Sequence, residues 1–214
     1  KILLMDEPLS NLDAKLRMEM RLELKNLHAQ TRTTIIYVTH DQLEAMTMST
    51  KIALLKDGVL QQFGSPLEIY SEPVNLLTAD FVGSPSNNLI LFRGENVNLD
   101  EIALSRDEMC FIYTPISGGV VISKGKHLAL GIRPEDIFIS ESGPLEGKVY
   151  STLPSGMDTI ICIVLGSIKL NCVLFGRIDY RIGESISFGF KDDSIPLFDA
   201  DTGRRIALGK IEVI

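Results

Sequence analysis

Two acidic residues, Asp6 and Glu7, directly follow a short apolar run at residues 1–5. Such a run is typical of a central parallel strand with both faces buried. In nucleotide hydrolases an acid at a strand end holds Mg²⁺, and a second carboxylate beside it can deprotonate the attacking water. Because the chain turns where the strand ends, both side chains can approach one site. A strand that ends in two acids is a weak signal by itself, since many strands end so for capping or solubility.

A histidine follows the next predicted strand. Residues 33–38 are rich in β-branched side chains, which favour a buried strand, and His40 comes two residues later. An imidazole at this position can donate a hydrogen bond to a phosphate oxygen. We interpret the other two histidines, His28 and His127, as ordinary surface or packed residues.

The sequence after the two acids continues as Pro-Leu-Ser-Asn-Leu-Asp-Ala at residues 8–14. Together with the apolar run, this block resembles the Walker B and D-loop segment of ABC ATPases, which has four apolar residues, Asp-Glu-Pro, and a Ser-x-Leu-Asp loop. The resemblance implies that Asp6 is the magnesium acid, Glu7 the catalytic base and His40 the switch histidine that senses the γ-phosphate. It also implies a loop that reaches across a nucleotide-bound dimer, formed by Ser10, Asn11, Leu12 and Asp13.

Two glycine-rich parts of that family's ATP site are missing from the sequence. The phosphate-binding loop needs G-x-x-x-x-G-K-[ST], and every Gly-Lys pair here has other flanking residues. The Leu-Ser-Gly-Gly-Gln signature has only a lookalike at residues 117–119, which we interpret as a turn. We therefore expect a C-terminal fragment whose full-length parent uses ATP and Mg²⁺. The fragment itself is expected to hold no cofactor and to hydrolyse no ATP.

The elements that must position these residues follow from the local patterns. Helices are predicted at 13–31 and 41–49, the second with a variant capping box in which Asp41 precedes Glu44 by three residues. A hairpin is predicted at 51–63 because Asp57-Gly58 lies between two apolar runs. Ser65-Pro66 then begins two short helical stretches that reach residue 81.

The pattern changes near residue 84 to short β-rich runs separated by glycine and proline. The clearest runs are 120–123, 128–132, 137–139, 147–152, 159–165, 168–174 and 185–190. We predict two domains: an α/β C-terminal part of a P-loop NTPase core at 1–84, and an all-β, OB-like barrel at 85–214. Since an unpaired central strand is an aggregation hazard, we also expect packing around residues 1–10 instead of a solvated tail.

Composition excludes several classes of protein. The net charge is −7, no basic stripe is evident and tryptophan is absent, so we expect no binding to nucleic acid. Three cysteines without a CxxC pair favour reduced thiols over a disulfide scaffold or a zinc site. No apolar run is long enough for a membrane span, so any membrane link must come through a partner.

The second half resembles the same family further. Residues 64–70, the Gly-x-Arg-Pro-Glu turn at 131–135 and the Leu-Phe-Asp loop at 197–203 are similar to segments of maltose-type importer ATPases. The resemblance implies a TOBE-type regulatory domain, a barrel related to the OB fold, that pairs two ATPase subunits. Two ordinary interpretations stay open: Arg133 in a plain turn with a surface ion pair, and Phe198 as simple core.

The predicted function is therefore part of the ATP-hydrolysing subunit that energises ABC-type import of a carbohydrate. The expected partners are transmembrane permease subunits, a second copy bound through the β domain and, indirectly, a periplasmic or lipoprotein substrate-binding protein, with no nucleic acid. The expected location is cytoplasmic, on the inner face of the membrane. Alternatives are import of polyamine, iron, sulfate or another small solute, a non-enzymatic dimerisation, regulatory or ligand-binding module, and a DNA-repair type of ATPase.

Overall fold

The structure, a computed structural model, describes residues 2–107, 109–176, 178–191 and 194–214. The chain divides into two compact units, residues 1–69 and 70–214. This division lies earlier than the change of residue pattern near 84, and a domain boundary at 84 stays a prediction. None of the helices in the described ranges is long and apolar enough to span a membrane.

The first unit combines a parallel strand pair, two helices and a hairpin. Its elements are β1 (Ile2–Asp6), α1 (Ala14–Thr31), β2 (Thr34–Val38), α2 (Gln42–Met48), β3 (Ile52–Lys56), β4 (Val59–Gly64) and α3 (Pro66–Ser71), which extends past residue 69. β1 pairs with β2 in parallel, with Asp6 opposite Val38. Residues 2–6 are therefore in a strand, as expected, and do not form a free tail. The expectation that both faces of this strand are buried is wrong, since Ile2 and Leu4 are 67% and 71% exposed. The P-loop core as a whole stays a prediction.

Local chemistry accounts for the turns of this unit. The β3–β4 hairpin turns at Asp57 and Gly58, which both have positive φ, as a two-residue primed turn requires. Asp13 caps α1 by accepting from the backbone N–H groups of Lys15 and Leu16, and Arg32 ends the helix in a left-handed conformation. None of the residues of α1 is buried in the described structure, so the apolar face of this helix is partly exposed to solvent.

The second unit is almost entirely β. Its elements after α3 are α4 (Leu76–Phe81), β5 (Asn88–Asn96), β6 (Ile102–Arg106), β7 (Met109–Pro115), β8 (Lys126–Ile132), a 3₁₀ turn (Pro134–Asp136), β9 (Ile137–Ile139), β10 (Leu145–Pro154), β11 (Asp158–Leu165), β12 (Ile168–Phe175), β13 (Ser185–Phe190), β14 (Ile195–Asp199) and β15 (Arg205–Val213). In the described residues β14, β15, β7, β6, β5 and β8 close into a barrel, and β12, β11, β10, β13 and β9 form a second sheet. The β-barrel expectation is confirmed.

Alternating burial along the strands explains how the barrel and the sheet share one core. Residues of β5, β7 and β11 alternate between buried and more exposed positions, as a strand with one inward face must. The ring of Phe111 on β7 meets Phe92 of the barrel edge-on at 5.4 Å and Phe190 of the second sheet at 6.2 Å. These aromatic contacts join the barrel to the sheet through one hydrophobic cluster.

One predicted strand is wrong. Residues 120–123 form no strand, although Val120 and Ile122 pack partly buried against the core. The amide of Asn96 donates to the Val120 carbonyl at 2.7 Å and accepts from the Ile122 N–H at 2.7 Å. A side chain thus satisfies backbone groups that a neighbouring strand would otherwise pair.

Candidate functional site

The two acids lie where β1 ends beside β2. The Glu7 N–H donates to the Val38 carbonyl at 2.9 Å, which extends the strand pairing by one residue. Glu7 has φ +43°, in the left-handed region that non-glycine residues rarely adopt. This turn ends the alternation of the strand immediately after Asp6. Strained backbone of this kind is often found at functional sites, where surrounding contacts hold it in place.

Glu7 and His40 are in contact. His40 Nδ1 lies 3.1 Å from Glu7 Oε1, with the imidazole side chain 73% and the carboxylate side chain 45% exposed. The hydrogen bond to Glu7, followed by the charge of its carboxylate, raises the pKa of His40 above 6.5. The structure therefore joins two of the predicted site residues through Nδ1, which leaves Nε2 as the ring nitrogen available to another group.

The loop after Glu7 is held by its own backbone and by one buried side chain. Leu9 is 2% exposed and anchors the loop. The Ser10 hydroxyl donates to the Glu7 carbonyl at 3.0 Å, and Asp13 Oδ1 is occupied as the helix cap. Asn11 is exposed and Leu12 half-buried. The role predicted for residues 10–13 across a dimer stays a prediction.

Two arginines that the sequence reasoning missed tie this loop to the histidine strand. Arg17 donates to the Leu12 carbonyl at 3.0 Å and lies 3.6 Å from the carboxylate of Asp41. Arg21 lies one turn further along α1 and pairs with the same carboxylate at 3.0 Å. Their spacing of four residues was the available signal, because it places both guanidinium groups on one face of the helix.

The predicted capping box at residue 41 is only half correct. Asp41 does cap α2 by accepting from the Leu43 and Glu44 N–H groups. Glu44 does not take the return position of a capping box, because the Asp41 N–H donates to Thr39 Oγ1 at 3.0 Å. Its buried carboxylate instead accepts from Tyr37 at 2.9 Å and Thr39 at 2.8 Å. Burial and this carboxylate raise the pKa of Tyr37.

The donor set is compatible with a magnesium nucleotide that brings its own oxygens. Among the residues that the structure covers, no three His, Cys, Asp or Glu side chains are grouped to hold a metal. Mg²⁺ bound with nucleotides uses one or two carboxylates and completes its shell with phosphate and water oxygens. Glu7 is engaged by His40, so Asp6 is the carboxylate that would hold the ion.

The Arg-Pro-Glu turn of the second unit is a buried anchor. Arg133 is 8% exposed and donates to three backbone carbonyls, those of Tyr70, Ala79 and Val82. The interpretation of this turn as a surface ion pair is therefore wrong. Burial lowers the pKa of Arg133. Phe198 is fully buried and packs with Ala79 and Ala129, as the core interpretation predicted.

Comparison with known proteins gives a consistent set of relatives. An uncharacterized ABC transporter ATP-binding protein, y4oS of Sinorhizobium fredii, is 40% identical over 97% of this chain and 54% of its own length. The sn-glycerol-3-phosphate import ATP-binding protein UgpC of Escherichia coli K12 is 39% identical over 96% of this chain and 57% of its own. The putative uncharacterized ABC transporter ATP-binding protein YcjV of the same strain is 38% identical over 94% and 56%.

The chain thus spans about half the length of the curated relatives it matches. No family model matches it. Among solved structures, a molybdate-bound form of the cytoplasmic molybdate-binding protein ModG covers 50% of this chain at 14% identity. Its TM-score of 0.35 is too low to establish a shared fold.

Proposed function

Because this chain is related over nearly its whole length to the ATP-binding proteins of ABC transporters, we propose that it is part of the ATP-hydrolysing subunit of a bacterial ABC importer. The single observation that supports a hydrolytic site here is the 3.1 Å contact between Glu7 and His40 at the ends of two parallel strands. Ligands of α/β proteins bind at the carboxyl ends of such strands.

In this proposal each side chain has a defined role. Magnesium, when bound with ATP, would neutralise developing charge on the phosphates, and Asp6 is the carboxylate that holds it. Glu7 accepts the proton of the attacking water. His40 orients the Glu7 carboxylate through Nδ1 and offers Nε2–H to a phosphate oxygen.

The partners follow from the same proposal. The subunit would act as a homodimer, with residues 10–13 crossing to the second nucleotide and the β unit adding contacts. It would bind transmembrane permease subunits at the cytoplasmic face of the membrane and meet a substrate-binding protein only through them. Exposed apolar side chains at one end of β10–β12 support self-association, among them Leu153, Met157 and Phe175.

The proposed imported substrate is a carbohydrate. The Asn-Asn-Leu stretch at 87–89 and the buried Arg133 turn favour the carbohydrate type of importer over those for polyamine, iron or sulfate. UgpC, a relative at 39% identity, is by name an importer of sn-glycerol 3-phosphate, another small hydroxylated solute. Uptake of labelled carbohydrates, polyamine, iron and sulfate by cells with the gene disrupted would identify the substrate class.

The catalytic part is tested on the complete gene product that contains these 214 residues, reconstituted with its permease. Glu7→Gln should lower Mg·ATP turnover by about 10²–10⁴-fold while leaving nucleotide binding in place, because general base catalysis is worth that much. Glu19→Gln, on the exposed face of α1, is the matched control and should retain full turnover.

Two outcomes would overturn the proposal. One is a complete gene product without a phosphate-binding glycine loop, since no backbone N–H groups would then be placed to bind the triphosphate. The other is normal turnover in the folded Glu7→Gln variant. In contrast, the 214-residue chain alone is expected to bind no ATP tightly and to show no turnover, because its sequence lacks that loop.

A non-enzymatic module is a second candidate function for residues 70–214. One hydrophobic cluster runs through the barrel and the second sheet, so this unit has its own core and can act as a dimerisation or regulatory domain. Sedimentation velocity over a hundredfold concentration range would reveal the dimer. A mass that stays monomeric throughout would count against this role.

A further inference from the structure

Asn87 is a buried amide without a partner. Its side chain is 6% exposed, and in the part of the chain that the structure covers neither Oδ1 nor Nδ2 makes a hydrogen bond. Buried polar groups are almost always paired, because an unpaired one loses its hydrogen bonds to water without gaining any in the protein. An exception of this kind is explained by a bound water, ion or ligand, or by a functional role of the group.

The neighbouring residue shows that burial alone does not explain this. Asn88 is also 6% exposed, yet its amide donates to the carbonyls of Ile132 and Asn171 and accepts from the Asn171 N–H. Asn88 therefore links β5 to β8 and β12. Asn87 has the same side chain and the same burial but no structural use for its donor and acceptor.

A cavity of about 140 Å³ has Asn87 in its wall. Tyr70, Arg133, Glu135, Gly131 and Pro196 contribute to its wall. A Cβ on Gly131 would lie 3.0 Å from Asn87 Nδ2, so the absent side chain lets the amide approach β8 closely. The volume is several times the roughly 15 Å³ that a single water needs, which gives room for a small organic molecule.

The charges around this cavity select a neutral ligand. Arg133 donates to three backbone carbonyls and lies 4.0 Å above the Tyr70 ring, so its guanidinium is already engaged. The Tyr70 hydroxyl donates to Glu135 Oε1. An anion would face the carboxylates of Glu135 and Asp136, and a cation would face Arg133. A hydroxyl group avoids both penalties because it can donate and accept.

We propose that this cavity binds a small neutral polyol through a vicinal diol held by the Asn87 carboxamide. One hydroxyl donates to Oδ1 and its neighbour accepts from Nδ2, which pairs both atoms that are otherwise unsatisfied. Pro196 and the edge of Tyr70 provide apolar surface for the carbon atoms. The site lies within residues 70–214, and its existence does not depend on ATP hydrolysis at Glu7.

The test uses NMR on the 15N-labelled full chain with glycerol as the probe. Glycerol should shift the Asn87 side-chain NH₂ signals saturably, with a Kd on the order of 1 mM, as suits a ligand of six heavy atoms. 1,2-Propanediol should act similarly, and 1,3-propanediol should bind at least about fivefold more weakly because its hydroxyls are not adjacent. Melting temperature is not a suitable readout, since polyols stabilise most proteins by exclusion from their surface.

Variants connect the response to the cavity. Asn87→Leu should abolish the saturable response of the signals around residues 131–136, and Gly131→Ala, whose Cβ would press on Asn87 Nδ2 and displace the amide, should weaken it at least tenfold. Asn26→Leu on exposed α1 should leave it unchanged. Three results would overturn the proposal: no saturable shift up to about 1 M glycerol, equal binding of the two propanediols, or undiminished response in folded Asn87→Leu. Ordered water that glycerol does not displace would produce the first of these.

Discussion

The guanidinium of Arg133 lies over the ring of Tyr70, with its central carbon 4.0 Å from the ring centroid. The same group donates to carbonyls of residues 70, 79 and 82, so one side chain ties the segment before β5 to the turn after β8. The Tyr70 hydroxyl in turn donates to Glu135. The position of Arg133 therefore requires a planar, charged group with several hydrogen-bond donors, which a guanidinium provides.

Replacing Arg133 by lysine should destabilise the second unit. An ammonium group cannot reach three carbonyls in a fork or stack on Tyr70, so we expect a loss of roughly 2–4 kcal/mol in the free energy of unfolding. Urea denaturation followed by circular dichroism measures the change. Arg93→Lys, at an exposed position of β5, should alter stability by less than about 0.5 kcal/mol. Equal effects of the two substitutions would contradict the anchoring role.

The pH titration of His40 should report its contact with Glu7. The pKa of His40 is raised above 6.5, so the folded chain binds this proton more tightly than the unfolded chain. The contact therefore stabilises fully below about pH 6.5 and is lost as pH rises through the folded pKa. In NMR titrations Glu7→Gln should lower the His40 pKa, whereas Glu19→Gln should leave it unchanged. An unaltered pKa in Glu7→Gln would show that the contact does not persist in solution.

Substitution of the two adjacent asparagines should have opposite consequences. Asn88→Leu removes three hydrogen bonds to buried backbone groups and should cost roughly 2–4 kcal/mol. Asn87→Leu removes an unpaired buried amide and should leave stability unchanged or raise it by up to about 2 kcal/mol when no polyol is present. Denaturant titration of both variants in glycerol-free buffer checks this. A comparable loss in Asn87→Leu would indicate a structural partner for that amide.

The thiol of Cys172 should be unreactive until the β unit unfolds. Burial raises its pKa to about 12, and its sulfur lies 3.3 Å from the Ile137 carbonyl. In a variant with Cys110→Ser and Cys162→Ser, reaction with a disulfide reagent at pH 8 should be at least about 10³-fold slower than in urea, because little thiolate is present. A fast reaction under native conditions would mean that this core opens locally.

The candidate site was largely predictable from local sequence because its parts are close along the chain. One strand ends at Asp6 and Glu7, a second strand ends before His40, and a capped helix connects them. Once the two strands pair in parallel, few arrangements of these three elements are possible. The contact between Glu7 and His40 follows from that pairing. The arginines at 17 and 21 were missed because a charged helix face usually indicates solvent exposure, and only the packed helix shows which carboxylates lie opposite.

The order of the strands in the barrel was harder to predict than the existence of a barrel. β7 pairs with β15 and β5 pairs with β8, which joins residues far apart in sequence, and period-two patterns give no information about which strands are neighbours. The run at 120–123 has the composition of a strand, yet the Asn96 side chain takes its backbone groups. A competing side-chain hydrogen bond of this kind has no local sequence signal.

The sequence by itself determined the types of most elements, the acid pair with its histidine and the relationship to ABC transporter ATP-binding proteins, because each depends on spacing within a few dozen residues. Only the tertiary structure shows the burial and the hydrogen bonding of three polar side chains whose residue types usually lie at the surface. Arg133 became a buried anchor, Asn88 a link between strands, and Asn87 an unpaired amide beside a cavity. The reason is physical: whether a buried polar group is satisfied depends on atoms that folding brings from distant parts of the chain.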